Sequence, residues 1–147
     1  MSLKDPKVKM SKSHLDPRSR INLTDTHEEI GEKIRLALTD SIPDITYDPV
    51  NRPGVSNLLA IWSHLDTEGR SPWELATDCC NLGMRGFKEQ VCMQIVGSLR
   101  GVRDRYSELM DGTNAQYLEA VREEGSIGAR LNAGHTLKHI KTAIGLL

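Results

Sequence analysis

The feature that most limits the fold is a long run of helical periodicity between residues 85 and 110. Apolar side chains recur there every three or four positions, as they do along one face of an α-helix: Phe87, Val91, Ile95, Leu99, Val102, Tyr106 and Leu109. Similar patterns predict helices over residues 26–38, 54–65, 71–81 and from 115 onward. The sequence therefore predicts an all-α protein, in which a loop precedes an irregular bundle of five or six helices.

Capping signals mark two of the predicted helix starts. Thr26 with Glu29, or Asp25 with Glu28, has the spacing of a capping box, and Ser71 precedes Pro72 as a cap precedes a first helical proline. Glycine at positions 97 and 101 weakens the long helix, which predicts that another helix crosses closely there. Gly125 and Ser126 predict a break or kink in the last helical region.

Composition limits the classes of protein and site. The chain has 147 residues, of which 38% are apolar and 4% aromatic, enough for one aliphatic core. No apolar run reaches the ~20 residues of a membrane span, so no membrane partner is predicted. Cys79, Cys80 and Cys92 form no metal or disulfide pattern and are predicted to be buried thiols. His135 and His139 have the i, i+4 spacing of metal ligands but lack a third ligand, so no metal site is predicted.

The segment 7–17 differs from the helical remainder and is the candidate for chemistry. Residues 4–20 hold six basic and two acidic residues, a local charge of +4 in a chain whose net charge is −1. Lys9 and Lys12 lie on a hydroxyl-rich loop between Pro6 and Pro17. Ammonium groups on flexible stems suit a polyphosphate whose charge changes during reaction. For an arbitrary pair of lysines, however, a solvated basic loop is the commoner outcome.

The string Lys9-Met10-Ser11-Lys12-Ser13 matches the KMSKS motif of class I aminoacyl-tRNA synthetases letter for letter. Flanking segments resemble the tryptophanyl-tRNA synthetases of the bacterial and mitochondrial type, and they lie at residues 1–6, 37–41, 46–49, 52–59 and 143–146. His14 departs from the acidic residue common after the motif. In this family the motif follows a Rossmann catalytic half, which is missing here. The resemblance implies a KMSKS segment over residues 1–22 and a helical tRNA (anticodon)-binding domain over residues 23–147.

The resemblance also implies the roles of particular residues. Residues 9–13, the KMSKS loop, would bind ATP, supplied with Mg²⁺, through Lys9, Met10, Ser11, Lys12 and Ser13. Lys12 and Lys9 are the implied catalytic residues, with Lys12 stabilising the departing pyrophosphate. The tRNA contacts are expected among exposed cations of the later helices, for which the candidates are Arg100, Arg103, Arg122 and Arg130.

The implied complete enzyme is a homodimeric tryptophan–tRNA ligase that acts on ATP, tryptophan and tRNA(Trp). This chain is expected to be its C-terminal part and to be inactive alone. The alternative is a short RNA-binding module without catalysis. Apolar surface around residues 55–62 is expected to be uncovered where it would meet the missing half. The resemblance favours the mitochondrial matrix, with the bacterial cytoplasm as the alternative.

Overall fold

The computed structural model describes residues 1–146, which fold into five α-helices joined by loops. The helices are α1 (His27–Arg35), α2 (Pro53–Leu65), α3 (Pro72–Asp78), α4 (Met84–Met110) and α5 (Ala115–Ala143). Short 3₁₀ turns occupy Pro17–Ser19 and Gly112–Asn114, and no strand occurs within the described residues. The predicted all-α class is therefore confirmed. None of these helices is both long and apolar enough to cross a membrane.

Both predicted capping signals form. At α1 the Thr26 hydroxyl accepts from the Glu29 N–H, and the Glu29 carboxylate accepts from the Thr26 N–H at 2.8 Å. The pairing of Thr26 with Glu29, rather than that of Asp25 with Glu28, is thus the capping box. Ser71 and Glu74 make the same exchange at α3. Each box satisfies N–H groups that the first helical turn leaves unpaired.

The chain divides into two compact units, Met1–Arg103 and the residues from Asp104 onward. The first unit has its own apolar core, in which α2 contributes Val55, Leu58 and Leu59 at 0–1% exposure. The other fully buried large residues of that core are Leu3, Ile30, Ile34, Leu75, Phe87, Val91 and Ile95. Because Leu3 belongs to this core, the beginning of the chain is packed onto the helices. The boundary predicted after residue 22 concerns a longer protein and stays a prediction.

The expected uncovered apolar surface at residues 55–62 is wrong. Val55, Leu58, Leu59 and Trp62 are buried by the rest of the first unit. Helical periodicity identified these residues as apolar, but it could not tell a face covered by this chain from one left for a partner. Ile61 is half-buried and packs against the same core.

The glycine expectations are also corrected. A Cβ built on Gly97 or Gly101 would meet no atom within 4 Å, so neither glycine permits a close helix crossing in the described structure. Gly125 and Ser126 do not break the last helix, because α5 is continuous from Ala115 to Ala143. Glycine lowers helix propensity by only ~1 kcal/mol, which a 29-residue helix can absorb.

Two of the three cysteines follow the prediction. Cys79 and Cys92 are buried, and burial raises the pKa of each thiol. Cys80 is exposed, contrary to the expectation. It lies just after α3, which ends at Asp78 instead of continuing to residue 81, so its side chain points away from the core.

Candidate functional site

The KMSKS loop is anchored where the chain enters and leaves it. The Leu3 N–H donates to the Ser19 carbonyl at 2.9 Å, which joins the two ends of the loop region. The Leu3 carbonyl accepts from the Leu38 N–H at 2.8 Å, just beyond α1. Asn57 on α2 donates through Nδ2 to the Ser2 carbonyl at 3.3 Å. The helical core therefore fixes the base from which the loop projects.

The loop itself presents two cations to solvent. Lys9 and Lys12 are exposed, and neither forms an ion pair with another described residue. Met10 between them is half-buried and packs against the core. Residues 11–14 form a turn, in which the His14 N–H donates to the Ser11 carbonyl at 3.3 Å. Two exposed ammonium groups beside an apolar anchor can bind a polyanion.

Three cations that flank the loop have different partners. Arg18 makes a two-pronged contact with the Asp16 carboxylate, through Nε at 3.0 Å and Nη2 at 3.2 Å. Hydrogen bonds from Arg18 lower the pKa of Asp16. Lys4 lies 3.9 Å from the same carboxylate. Arg20 makes no ion pair within the described residues and instead donates through Nη1 to the His14 carbonyl at 3.0 Å.

A buried arginine organises the segment between α1 and α2. Arg52 binds both oxygens of Asp40, at 3.0 Å from Nε and 2.7 Å from Nη2, and hydrogen bonds from this guanidinium lower the pKa of Asp40. Its Nη1 also donates to the Asp44 carbonyl at 2.5 Å and to the Thr46 hydroxyl at 2.7 Å. Asp40 is thus occupied by a structural contact with Arg52.

A second buried ion pair lies at the start of α1. Lys33 donates to Asp25, and the two residues are 7% and 6% exposed. Burial opposes ionisation of Asp25, but hydrogen bonds from Lys33 and Asn22 outweigh it and lower the pKa of this carboxyl. Arg103 on α4 donates to the Asp25 backbone carbonyl at 3.3 Å. These contacts tie α1 to α4 within the first unit.

The four arginines predicted to bind tRNA do not form one cluster in either unit. In the first unit Arg100 is exposed, whereas Arg103 is half-buried by its contact with Asp25. In the second unit Arg122 is paired with Glu119 on the same face of α5, and Arg130 is exposed. Arg122 and Arg130 lie eight residues apart, about 12 Å along the helix axis. Their role in binding tRNA stays a prediction.

The histidine pair on α5 forms as its spacing predicted. His135 Nε2 and His139 Nε2 lie 3.2 Å apart, and the rings meet edge to face. No group of three His, Cys, Asp or Glu side chains within residues 1–146 is arranged to hold a metal ion.

Comparison with known proteins identifies the family. The sequence model of the class I tRNA synthetases (W and Y) matches residues 1–97, about two thirds of the chain. The chain belongs to the class I tRNA synthetase family (W and Y). The matched region contains the KMSKS loop, the buried Arg52 network and the core helices α1 to α3.

Curated relatives of the chain are ligases specific for tryptophan. The chain is 37% identical over 147 residues to the tryptophan–tRNA ligase of Rickettsia conorii, and 36% identical over 146 residues to that of Oceanobacillus iheyensis. It covers 43% of each relative, so it spans less than half of their length. The crystal structure of tryptophanyl-tRNA synthetase from Mycoplasma pneumoniae superimposes with a TM-score of 0.56 and 27% identity, over 71% of this chain and 34% of that one. The predicted resemblance is confirmed.

Sequence patterns do not reveal the residues that fix the base of the loop. Asn57 lies in a predicted helix with no sign that its amide reaches residues 1 and 2, which are more than fifty positions away. From the sequence, Arg20 is one of six basic residues in a positively charged segment. The structure shows that its side chain contacts the Ser11 and His14 carbonyls. Lone polar residues in apolar helices, such as Asn57, are a usable signal, because a buried amide must find partners.

Proposed function

We propose that this chain supplies the pyrophosphate-contacting loop and the tRNA-binding helices of a tryptophan–tRNA ligase. The complete reaction would join tryptophan to ATP with release of pyrophosphate and then transfer tryptophan to the 3′ end of tRNA(Trp). The observation that carries the proposal is the pair of exposed ammonium groups of Lys9 and Lys12, which make no ion pair within residues 1–146 and lie on a loop whose base is fixed to the core.

In the activation step a tryptophan carboxylate oxygen attacks the α-phosphorus of ATP, and the bond to the bridging oxygen breaks. The leaving pyrophosphate takes the electron pair, so negative charge grows on its oxygens in the transition state. An ammonium that approaches those oxygens at that moment lowers the barrier more than it tightens substrate binding. Lys12 at the tip of the loop is assigned this role, and Lys9 contacts the same phosphates.

Magnesium fits this proposal as an ion that arrives with ATP. The described residues contain no group of three His, Cys, Asp or Glu side chains that could hold it, and Mg²⁺ commonly keeps substrate phosphates and water among its ligands. The lysine ammoniums of the KMSKS loop would share the phosphate charge with the ion. In the proposed complete enzyme, homodimer formation and tryptophan binding would fall to the remaining part of the protein.

Substitution of Lys12 tests the catalytic role. In the full protein that contains this chain, Lys12→Ala should lower the rate of tryptophan-dependent ATP–pyrophosphate exchange by about 10²- to 10³-fold, the usual effect of losing one transition-state contact. Tryptophan affinity, measured by equilibrium dialysis, should stay unchanged. Lys7→Ala is the matched control, because Lys7 is an exposed lysine of the same segment outside the motif. Equal losses of rate and tryptophan affinity in Lys12→Ala would contradict the role.

A second function, RNA binding without catalysis, is favoured by one observation. Residues 1–103 have an apolar core of their own although the chain spans only 43% of its relatives. Filter binding of tRNA(Trp) to the 147-residue chain, at several salt concentrations, measures this function, because phosphate contacts give a negative dependence of affinity on salt. Binding of tRNA(Trp) without binding of ATP would support the module. No binding of tRNA by the folded chain would exclude it.

A further inference from the structure

Arg20 has an unusual set of contacts for an arginine at a loop end. Its Nη1 donates to the His14 carbonyl at 3.0 Å and makes a longer contact of 3.5 Å with the Ser11 carbonyl. These two carbonyls belong to the first and last residues of the turn that contains Lys12. The guanidinium therefore bridges both ends of that turn.

The backbone around Arg20 gives its side chain a fixed origin. The 3₁₀ turn Pro17–Ser19 ends there, and the Arg20 N–H donates to the Pro17 carbonyl at 3.4 Å. The neighbouring Ser19 is buried, and its carbonyl accepts from Leu3. Arg20 is itself half-buried, and its Nε is shielded from solvent without a hydrogen-bond partner in the described structure. The side chain is thus held by packing as well as by its hydrogen bonds.

The charge of Arg20 is directed to neutral oxygens, in contrast to that of Arg18. Arg18 pairs with Asp16, whereas Arg20 forms no ion pair among residues 1–146. A guanidinium can donate several hydrogen bonds at once, and hydrogen bonds from a charged donor are stronger than those between neutral groups. An alanine at this position would leave the two carbonyls of the turn without this donor.

We propose that Arg20 is the positioning residue of the KMSKS loop: by holding the Ser11–His14 turn, it orients the Lys12 ammonium toward the polyphosphate. The identity of the anion in this inference rests on the proposed function. The contact by which Arg20 holds the turn is independent of that function. Arg20 acts through the backbone of the loop and does not touch the phosphates. Its loss leaves both lysines in the chain but lets the turn sample other conformations.

Limited trypsin digestion of the 147-residue chain tests the hold directly. Trypsin cleaves after Lys9 and Lys12 only when the loop can adopt an extended conformation. Arg20→Ala should speed both cleavages about tenfold or more, the expected effect of losing one hydrogen bond from a charged group. Arg18→Ala removes the same charge two positions away and should leave both rates unchanged. Equal rates at Lys9 and Lys12 in Arg20→Ala and the unsubstituted chain would overturn the proposal.

Cleavage after Lys33 separates a local effect from unfolding. Lys33 is buried in α1, so this bond is cut only when the first unit opens. If Arg20→Ala also speeds cleavage at Lys33, Arg20→Lys is tested instead. This variant keeps the charge, but its ammonium can contact only one of the Ser11 and His14 carbonyls. Arg20→Lys should then accelerate cleavage at Lys9 and Lys12 without doing so at Lys33. A rise at all three sites, or at none, would refute the proposal.

Kinetic measurements on the full protein that contains this chain test whether Arg20 orients the Lys12 ammonium for catalysis. Arg20→Ala should lower kcat of ATP–pyrophosphate exchange by about ten- to a hundredfold, because a misplaced catalytic group loses rate. KM for tryptophan should stay unchanged, and Arg20→Lys should recover part of kcat. A loss confined to stability, with normal kcat in the folded fraction, would contradict the orientation of Lys12. Absence of exchange in the unsubstituted protein would refute the proposed function, while the digestion result would still decide the hold on the turn.

Discussion

The buried pair of Asp25 and Lys33 gives a prediction whose magnitude follows from the structure. Asp25→Ala removes the carboxylate that accepts from the Lys33 ammonium and from Asn22, whose backbone N–H and Nδ2 lie at 2.8 and 3.0 Å from it. Lys33 is 7% exposed, so its ammonium would be left buried without a counter-charge. Breaking such a pair costs about 3–5 kcal/mol. That is a large part of the 5–15 kcal/mol that typically stabilises a domain.

Urea unfolding at pH 7 measures this loss in the first unit, because both tryptophans, the buried Trp62 and the exposed Trp73, lie there and report by fluorescence. Asp25→Ala combined with Lys33→Met should recover most of the free energy and remain within about 2 kcal/mol of the unsubstituted chain, because no charge is then buried alone. Glu89→Ala is the control for an exposed pair. Its partner Arg85 has a side chain that is 93% exposed, so the loss should stay below about 1 kcal/mol.

Two results would refute this reasoning. Asp25→Ala could lose no more stability than Glu89→Ala, or the double substitution could lose as much as Asp25→Ala alone.

The pH dependence of stability that Asp25 contributes has a defined sign as well. Because the folded pKa of Asp25 lies below its unfolded value of about 3.9, its contribution is complete above that pH. The contribution is lost as the pH falls through the folded pKa.

Glycine and pH give two further predictions. Gly54→Ala should destabilise the first unit by about 1–3 kcal/mol in urea unfolding, because the new Cβ would lie 2.2 Å from the Leu38 carbonyl oxygen. Gly97→Ala, which meets no atom within 4 Å, should instead stabilise it by up to about 1 kcal/mol; a loss in both variants would contradict the geometry. Hydrogen bonds from Arg70 lower the pKa of Asp66 to about 2, so its contribution to stability should be complete above pH 4 and fall between pH 4 and 2. Titration by NMR should show this pKa, and a value near 4 would contradict the contact.

Elements with local signals could be predicted from the sequence. The starts of α1 and α3 were predictable because Thr26–Glu29 and Ser71–Glu74 satisfy helix N–H groups within four residues. The length of α4 followed from its apolar repeat. The motif residues of the KMSKS loop are identified by resemblance, and their role in contacting a charged leaving group stays a prediction.

Features that depend on contacts between distant residues could not be predicted. The Asn57 amide reaches residues 1 and 2 across more than fifty positions, and Arg103 reaches Asp25 across 78. Burial of α2 depends on which other elements of the chain pack against it, and hydrophobic periodicity does not identify those elements. The predicted close crossing at Gly97 and Gly101 is wrong, because a helix tolerates glycine even where no neighbouring element packs against it. The tRNA-binding roles of the four candidate arginines, which are Arg100, Arg103, Arg122 and Arg130, stay predictions.

The central claim is that these 147 residues act as part of a tryptophan–tRNA ligase, and one measurement tests it most directly. Antibodies against residues 112–147 would precipitate the product from the cells that encode it, and tryptophan-dependent ATP–pyrophosphate exchange would be measured in the precipitate. The account predicts exchange activity in a protein of more than twice 16.4 kDa, because the chain spans 43% of its relatives. A precipitate that contains only a product near 16.4 kDa and lacks exchange activity would contradict it.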